Sequence, residues 1–250
     1  MPFDISAVID RIFSGTSGDC NSDGEVTAAD LICAIRAVPS TPVAITRASF
    51  SGRVVDSSTG HAVAEAIVQL TGVSDATVVT DADGAYSFVC GRDGDCLVSD
   101  RWSVRVTKSA AFDGSVTMAD AQAALDAAAG KVVLTLNQQL SCDASGSGTI
   151  SGIDAGLIRS YVLSHAVGKD VTFPAAQSCG SDWLFVPASE SSKTRLVQWP
   201  MLSPGMCELG GVSELAPRDD AHFTEDFFAV RLGDCDASGP SAEDHAAATL

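Results

Sequence analysis

Basic residues and aromatic residues are both scarce in this sequence. The 250 residues contain 15 Lys and Arg against 32 Asp and Glu, which gives a formal net charge of −17, and only 6% are aromatic. A strongly negative chain is repelled by phosphate backbones and by anionic membrane surfaces. The charge therefore argues against nucleic acid as a partner and favours cations.

Long apolar runs are missing as well. No stretch reaches the roughly 20 residues that a membrane-spanning helix needs, so we predict no membrane insertion. The first residues, MPFDISAVIDRIF, have neither the basic segment nor the apolar run of a signal peptide. We expect either that a signal was removed before the numbering begins or that the sequence is a fragment.

Catalytic sequence motifs are absent too. The chain contains no GxSxG, HExxH, P-loop or GxGxxG pattern, and none of its four histidines has a second His or a Cys at ligand spacing. These motifs supply the nucleophiles, catalytic metals and phosphate cradles of common enzyme classes. We therefore predict that the protein is not an enzyme.

Cysteine, in contrast, is well represented. The chain has eight cysteines and no CxxC pair, so disulfides are expected rather than a zinc site. Disulfides persist in oxidising compartments, which predicts an extracellular or cell-surface location. Cys90 and Cys96 flank the polar segment GRDGD, and a local disulfide between them is the pairing that we predict most directly.

The segment DCNSDGEVTAAD, residues 19–30, has the spacing of a calcium-binding loop. Such a loop uses side-chain oxygens at its first, third and fifth positions, Gly at the sixth, a backbone carbonyl at the seventh and a carboxylate at the twelfth. Crowded carboxylates repel one another unless a cation lies between them. We predict Ca²⁺ as the cofactor, with these ligands: Asp19, Asn21, Asp23, Glu25 and Asp30.

This loop resembles a dockerin-type repeat. It closes with Asp rather than Glu, and an apolar helical face follows it through Leu31, Ile32, Ile35 and Val38. Dockerins are extracellular modules that fold around calcium and bind cohesin domains, so the resemblance implies a cohesin-like partner. The segment 1–42 then corresponds to half a module, because it contains a single loop.

The same spacing recurs twice within residues 108–169. The later copy predicts a second set of calcium ligands: Asp143, Ser145, Ser147, Thr149 and Asp154. The earlier copy, SAAFDGSVTMAD, keeps Gly114 and the closing Asp120, but Ser109 and Ala111 occupy its first and third positions. Alanine has no side-chain oxygen, so we interpret residues 109–120 as a degenerate partner that is kept for packing. Together the two copies resemble a dockerin pair.

A partial loop begins again in the terminal segment, 234–250. Asp234, Asp236 and Ser238 match the first ligand positions, but Ser241 and His245 occupy the apolar and closing positions. Cys20 and Cys235 hold the same place in their loops. One hypothesis is that the two terminal partial modules pair with each other through these cysteines, within one chain or between chains.

Residues 46–107 change to a period of two, which predicts short strands and a β-sandwich. The predicted strands are SGRVV, AIVQL, ATVVT, AYSFV and SVRVT. With Gly52, Gly84 and Tyr86, the segment resembles the carboxypeptidase-regulatory-like, transthyretin-like family, a small non-catalytic sandwich found as a spacer in secreted proteins. The predicted fold class is therefore multidomain α+β, a transthyretin-like β-sandwich with dockerin-like calcium loop-helix modules.

Residues 170–233 contain three further candidate strands: WLFV, RLVQW and FFAVRL. Three strands are few for an independent sheet. We expect them either to extend the sandwich or to cover the dockerin-like pair.

These patterns predict a non-catalytic, calcium-binding structural or adhesion protein that assembles on the cell surface through a cohesin-like partner. Ser160 and Tyr161 are the candidate contacts on the helix that follows Asp154. In one alternative, copies of the chain form a calcium-dependent extracellular filament. In another, the chain is the carbohydrate-binding part of a secreted glycosidase and contacts polysaccharide through tryptophan, although positions in the core explain Trp102, Trp183 and Trp199 better.

Overall fold

The structure is a computed structural model that describes residues 46–73, 76–88, 96–109, 113–192, 194–215 and 221–238. All of them belong to one compact unit of the chain, Ile45–Leu250. The half module predicted at 1–42 lies outside the described residues, together with its ligands Asp19, Asn21, Asp23, Glu25 and Asp30. Cys90 lies outside them as well, so its pairing with Cys96 stays a prediction.

The described residues form strands and helices in the following order: β1 Thr46–Asp56, β2 Ile67–Val73, β3 Ala76–Val79, β4 Ala85–Phe88, β5 Cys96–Thr107, α1 Met118–Ala128, α2 Leu136–Cys142, α3 Gly152–Ala166, α4 Pro174–Cys179, β6 Trp183–Pro187, β7 Arg195–Gln198, β8 Met201–Ser203, β9 Met206–Glu208, β10 Gly211–Leu215, β11 Ala221–Thr224 and β12 Phe227–Arg231. The chain is thus a mixed α+β structure dominated by strands. Each of the five strands predicted between residues 46 and 107 is confirmed.

Strand β1 is the centre of the sheet. Its first half pairs in parallel with β11 and antiparallel with β5, and it also pairs antiparallel with β4. Its last residues, Val54–Asp56, pair in parallel with β12, which in turn pairs with β6. Beyond β5 lie β2 and β3 on one side and β10 and β7 on the other. The transthyretin-like sandwich remains a prediction, but the period-two signal marks real strands.

The alternation of β2 explains its place in the sheet. Val68 and Leu70 are buried while Ile67 and Gln69 face outward, because successive side chains of a strand point to opposite faces. The buried face joins a core in which Trp102 of β5 packs edge-on against Phe50 of β1. This first core holds the strands together.

Strand β6 is buried on both faces, and β12 is buried except at Phe228. In β6, Trp183 and Phe185 belong to the first core, whereas Leu184 and Val186 belong to a second core formed with the helices. The segments predicted as the separate ranges 46–107, 108–169 and 170–233 therefore share cores. The candidate strands of residues 170–233 are confirmed, and they do both things expected of them: they extend the sheet and cover the helices.

The helices begin at local capping signals. Thr117 caps α1 with Asp120, and Ser151 caps α3 with Asp154, each through a capping box in which both side chains bond backbone N–H groups. Helices α1 and α3 pack against each other. In the part of the chain that the structure describes, no helix is long and apolar enough to span a bilayer.

Two disulfides lie in the described part of the chain, Cys142–Cys235 and Cys179–Cys207. All four cysteines contribute to the second core. The predicted bond between Cys20 and Cys235 is wrong, because the partner of Cys235 is Cys142. Position within a similar loop is a poor guide to pairing, since a disulfide needs two Cα atoms only a few ångströms apart.

Candidate metal centre

The continuous loop, residues 143–154, connects α2 to α3. Asp143 lies at the C-terminal end of α2 and is 3% exposed. Its Oδ1 accepts hydrogen bonds from Ser147 N at 2.9 Å and Ser145 Oγ at 3.1 Å, and its Oδ2 accepts one from Gly148 N at 2.6 Å. The carboxylate at the first loop position thus folds the following five residues around itself.

Asp154 closes this loop from the first turn of α3 and is fully buried. Its Oδ1 accepts a hydrogen bond from Ser145 N at 2.9 Å, and its Oδ2 accepts bonds from Ser151 N at 2.9 Å and Ser151 Oγ at 3.0 Å. One carboxylate therefore ties the start of the loop to the start of the helix. The structure brings all five predicted residues into this loop: Asp143, Ser145, Ser147, Thr149 and Asp154.

A second loop with the same framework is built from two distant segments. Asp120 Oδ1 accepts a hydrogen bond from Asp236 N at 2.9 Å, and Asp120 Oδ2 accepts bonds from Thr117 N at 2.7 Å and Thr117 Oγ1 at 3.0 Å. These contacts repeat those of Asp154 bond for bond. Residues 234–238 supply the first half of the loop and residues 113–120 supply the second, and we call this arrangement the split loop.

Backbone conformation shows the same correspondence. Gly114 has a φ of 80°, matching 81° at Gly148, the sixth position of the continuous loop. Ala237 has a φ of 58° and occupies the fourth position, where Gly146 has 73° in the continuous loop. An alanine with positive φ carries a steric cost that glycine avoids, so tertiary contacts hold Ala237 in the conformation that the loop requires.

Three carboxylates meet in the split loop. Asp120, Asp234 and Asp236 each place one oxygen within 4.8 Å of the others, and the first two are 0% and 5% exposed. Burial raises the pKa of Asp120 to about 6, and the negative charge of Asp236 adds to the rise. The hydrogen bonds from Asp236 N and from Thr117 act in the opposite direction. Oxygen ligands in a buried, negatively charged cluster match a hard divalent cation.

Two residues, Asp113 and Ser238, correspond to the fifth position of the split loop. Asp113 would be the fifth residue of a loop counted back from Asp120, but its Oδ2 accepts a hydrogen bond from Arg231 Nη1 at 2.9 Å. Ser238 is the fifth residue counted forward from Asp234, and its backbone N donates to Asp236 Oδ1 at 2.8 Å. The two segments of the split loop therefore overlap at its fifth position.

The Cys142–Cys235 disulfide joins the two loops. Cys142 directly precedes Asp143, and Cys235 lies between Asp234 and Asp236. A backbone hydrogen bond from Gly233 N to Ser141 O, 2.8 Å long, reinforces this connection. The continuous and split loops therefore form one covalently linked pair.

These contacts bear on two of our predictions. Residues 109–120 are more than a degenerate packing partner, because Asp120 lies in the acidic cluster. Residues 234–238 pair with 113–120 of the same chain, whereas the N-terminal half module that we predicted as their partner lies outside the described residues. A signal was present in the sequence: the ligand positions missing from one partial loop, DGSVTMAD, are those present in the other, DCDAS.

The candidate partner surface also changes. Tyr161 is only 8% exposed and its ring stacks on Phe173 with centroids 4.4 Å apart, so it belongs to the core rather than to an exposed contact face. Ser160 is exposed, as predicted. Helix α3 and its C-cap also expose larger apolar side chains that were not singled out: Ile153 and Leu163 of the helix and Val167 of the cap.

The two loops of this chain resemble each other. Asp120 and Asp154 accept equivalent hydrogen bonds at the starts of two helices that pack together. Such a repeat is the geometry expected of paired cation loops. Searches beyond the chain add no relative: no protein-family model, no curated protein and no solved structure matches it.

Proposed function

We propose that the protein is a non-catalytic, extracellular calcium-binding protein with a structural or adhesive role. The observation that carries the proposal is the split loop, in which Asp120 repeats the hydrogen bonds of Asp154 and lies with two further carboxylates. Calcium bound there holds residues 234–238 against the start of α1. The ion thereby fixes the helix pair, and the pair presents a surface to a partner.

The two loops differ in the charge they offer a cation. The split loop contributes three carboxylates, Asp120, Asp234 and Asp236, whereas the continuous loop contributes two, Asp143 and Asp154. The affinity of calcium loops rises with the charge of the ligands. We therefore assign the tighter binding to the split loop and the weaker binding to the continuous loop, whose third and fifth positions are hydroxyls.

A cohesin-like domain is the partner that the dockerin-like pattern implies. The exposed apolar side chains of α3 support a protein partner, since Ile153 and Val167 are 68% and 69% exposed. The disulfides support an oxidising, extracellular setting. The filament alternative has lost part of its motivation, because the C-terminal half loop is completed within its own chain.

Calcium titration by calorimetry tests the proposal. Asp120→Asn and Asp154→Asn each remove one closing charge with little change of shape, and Asp170→Asn is the matched control because Asp170 is exposed and lies outside both loops. We expect each loop variant to lose one binding event, and the event lost in Asp120→Asn should be tighter than the one lost in Asp154→Asn. The control should titrate like the natural protein.

Circular dichroism of the same variants separates lost binding from lost folding. The proposal fails if folded Asp120→Asn and Asp154→Asn bind calcium with the stoichiometry and affinity of the natural protein.

A further inference from the structure

Trp199 differs from the other two tryptophans. Trp102 and Trp183 are 1% and 7% exposed and lie in the first core, whereas Trp199, directly after β7, is 49% exposed. It lines three adjoining clefts of about 300, 420 and 570 Å³. Each volume falls in the range of small-molecule sites, roughly 300–1,000 Å³. An exposed indole thus stands where three clefts meet.

The start of α2 forms the opposite wall of this region. Leu136 lines two of the clefts with Trp199, and Asn137 lines two of them as well. Asn137 is half-buried, and its side-chain amide has no hydrogen-bond partner among the described residues. An amide offers two donor hydrogens and an acceptor oxygen, so Asn137 is free to bond a polar ligand beside the indole ring.

The remaining lining combines polar side chains with apolar ones, the latter chiefly Leu140, Ile150, Val186, Met201, Leu202 and Phe228. Polar side chains that line the clefts include Ser57, Ser58, Gln138, Gln139, Thr149 and Ser191. Among the described lining residues Arg231 is the basic one, and it is 4% exposed and paired with Asp113, while Asp56, Asp143, Asp234 and Glu190 add negative charge. An anionic ligand would be repelled here, whereas a neutral polyol would find many partners.

We propose that these clefts bind a neutral oligosaccharide. The apolar C–H face of a pyranose ring stacks on the Trp199 indole, and sugar hydroxyls bond Asn137 and the neighbouring amides and hydroxyls. Three clefts around one ring accommodate more than one sugar unit. The site adjoins both calcium loops: Asp143, Gly148, Thr149 and Ile150 of the continuous loop line one cleft, and Asp234 and Ala237 of the split loop line another.

Affinity electrophoresis and tryptophan fluorescence with the full chain in calcium test the proposal. The probes are neutral hexasaccharides of glucose, mannose and galactose, an anionic oligogalacturonate, and a proline-rich peptide. We expect at least one neutral hexasaccharide to bind, Trp199→Ala to weaken it roughly tenfold or more, and Asn137→Ala to weaken it several-fold.

Leu196→Ala is the matched control, because Leu196 lies on β7, is 63% exposed and lines none of the three clefts. It should bind the hexasaccharide like the natural protein. The proposal is overturned if no neutral hexasaccharide binds, if Trp199→Ala binds as well as the natural protein, if Leu196→Ala weakens binding equally, or if only the peptide or the oligogalacturonate binds.

Discussion

Tyr86 ties the edge of the first core to the chain that leads into β12. Its hydroxyl donates a 2.6 Å hydrogen bond to the backbone oxygen of Glu225. Burial, and then the charges of Glu225 and Asp226, raises the pKa of Tyr86, so it remains a protonated donor. Gly52 packs closely against the same oxygen. A Cβ at position 52 would lie 1.8 Å from Glu225 O, so a larger residue does not fit. Two residues of the transthyretin-like pattern thus serve one close contact.

We predict that Tyr86→Phe lowers the free energy of unfolding by about 1–2 kcal/mol, since it leaves a buried carbonyl without its hydrogen-bond donor while keeping the ring. Urea denaturation in calcium measures the effect. Ser87→Ala is the control, because Ser87 is the exposed neighbour on β4 and should change stability little. Equal effects of the two substitutions would contradict the role given to the Tyr86 hydroxyl.

Asp120 makes the calcium-free protein sensitive to pH. Its folded pKa of about 6 lies above its ordinary value of 3.8, so at intermediate pH the folded state holds a proton that the unfolded state has released. The stability contribution is full below the ordinary value and is lost as the pH rises through about 6. The charge of Asp236 adds to this effect by repulsion.

We expect the free energy of unfolding of calcium-free protein to fall as the pH rises from about 4 to about 6. The difference between the natural protein and Asp120→Asn isolates this one group, and Asp170→Asn should keep the decline. A decline of the same size in Asp120→Asn would show that other groups cause it. Saturating calcium should remove the decline, because the ion replaces the proton.

At the scale of elements, the Cys142–Cys235 disulfide holds the half loop 234–238 in place. It closes a loop of 93 residues, and bonds of this kind stabilise by about 2–5 kcal/mol. Replacing both cysteines with serine should lower stability by that order and weaken calcium binding at the split loop more than at the continuous loop. Calorimetric titration of the double variant measures both affinities.

The Cys179–Cys207 disulfide provides the comparison. It joins α4 to β9 and has no cysteine in either calcium loop. The Cys179→Ser, Cys207→Ser protein should lose stability and retain the affinity of the split loop. If both double variants bind calcium equally well, the disulfide does not position residues 234–238.

Regular elements could be predicted from local pattern. Val68 and Leu70 alternate with outward side chains in β2, and this period of two marked the strand from sequence alone. The sequence analysis did not predict helix α2, because the helix is short. Thr135 and Gln138 nevertheless form a capping box at its start. Local chemistry therefore contained a start signal for α2, but not the tertiary contacts that make seven residues helical.

The two halves of the acidic cluster could be predicted from the sequence, but their meeting could not. Asp234 and Asp236 matched a loop start, and Asp120 matched a loop end, but each half failed the test of twelve consecutive residues. Strand β12 delivers residues 234–238 to α1, and no spacing along the sequence encodes that meeting. Predicting that these two segments meet would have required knowledge of how the chain runs through the second core.

At the scale of the whole molecule, the strands β6 and β12 connect sheet and helices, because each contributes residues to both cores. Trp183 faces the first core and Leu184 the second, so neither core can be rearranged without disturbing the strand they share. Interiors packed at crystalline density transmit such changes. The helix pair thus stands on a rigid base, which suits a module that presents a binding face.

We predict that the purified protein scatters light as a monomer both in calcium and after chelation. The C-terminal half loop is completed by residues 113–120 of its own chain, so it offers no open position to a neighbour. Multi-angle light scattering measures the mass. Growth into large species in calcium would favour the filament and contradict this expectation, since open head-to-tail contacts generate fibres.

The split loop also imposes an order of events during synthesis. Residues 113–120 leave the ribosome more than a hundred residues before Asp234, an interval of roughly 5–25 seconds at ordinary translation rates. Once α3 has been made it can pair with α1, but the cluster still lacks two of its three carboxylates. The acidic cluster can therefore assemble only after residues 234–238, which follow β12, have been made.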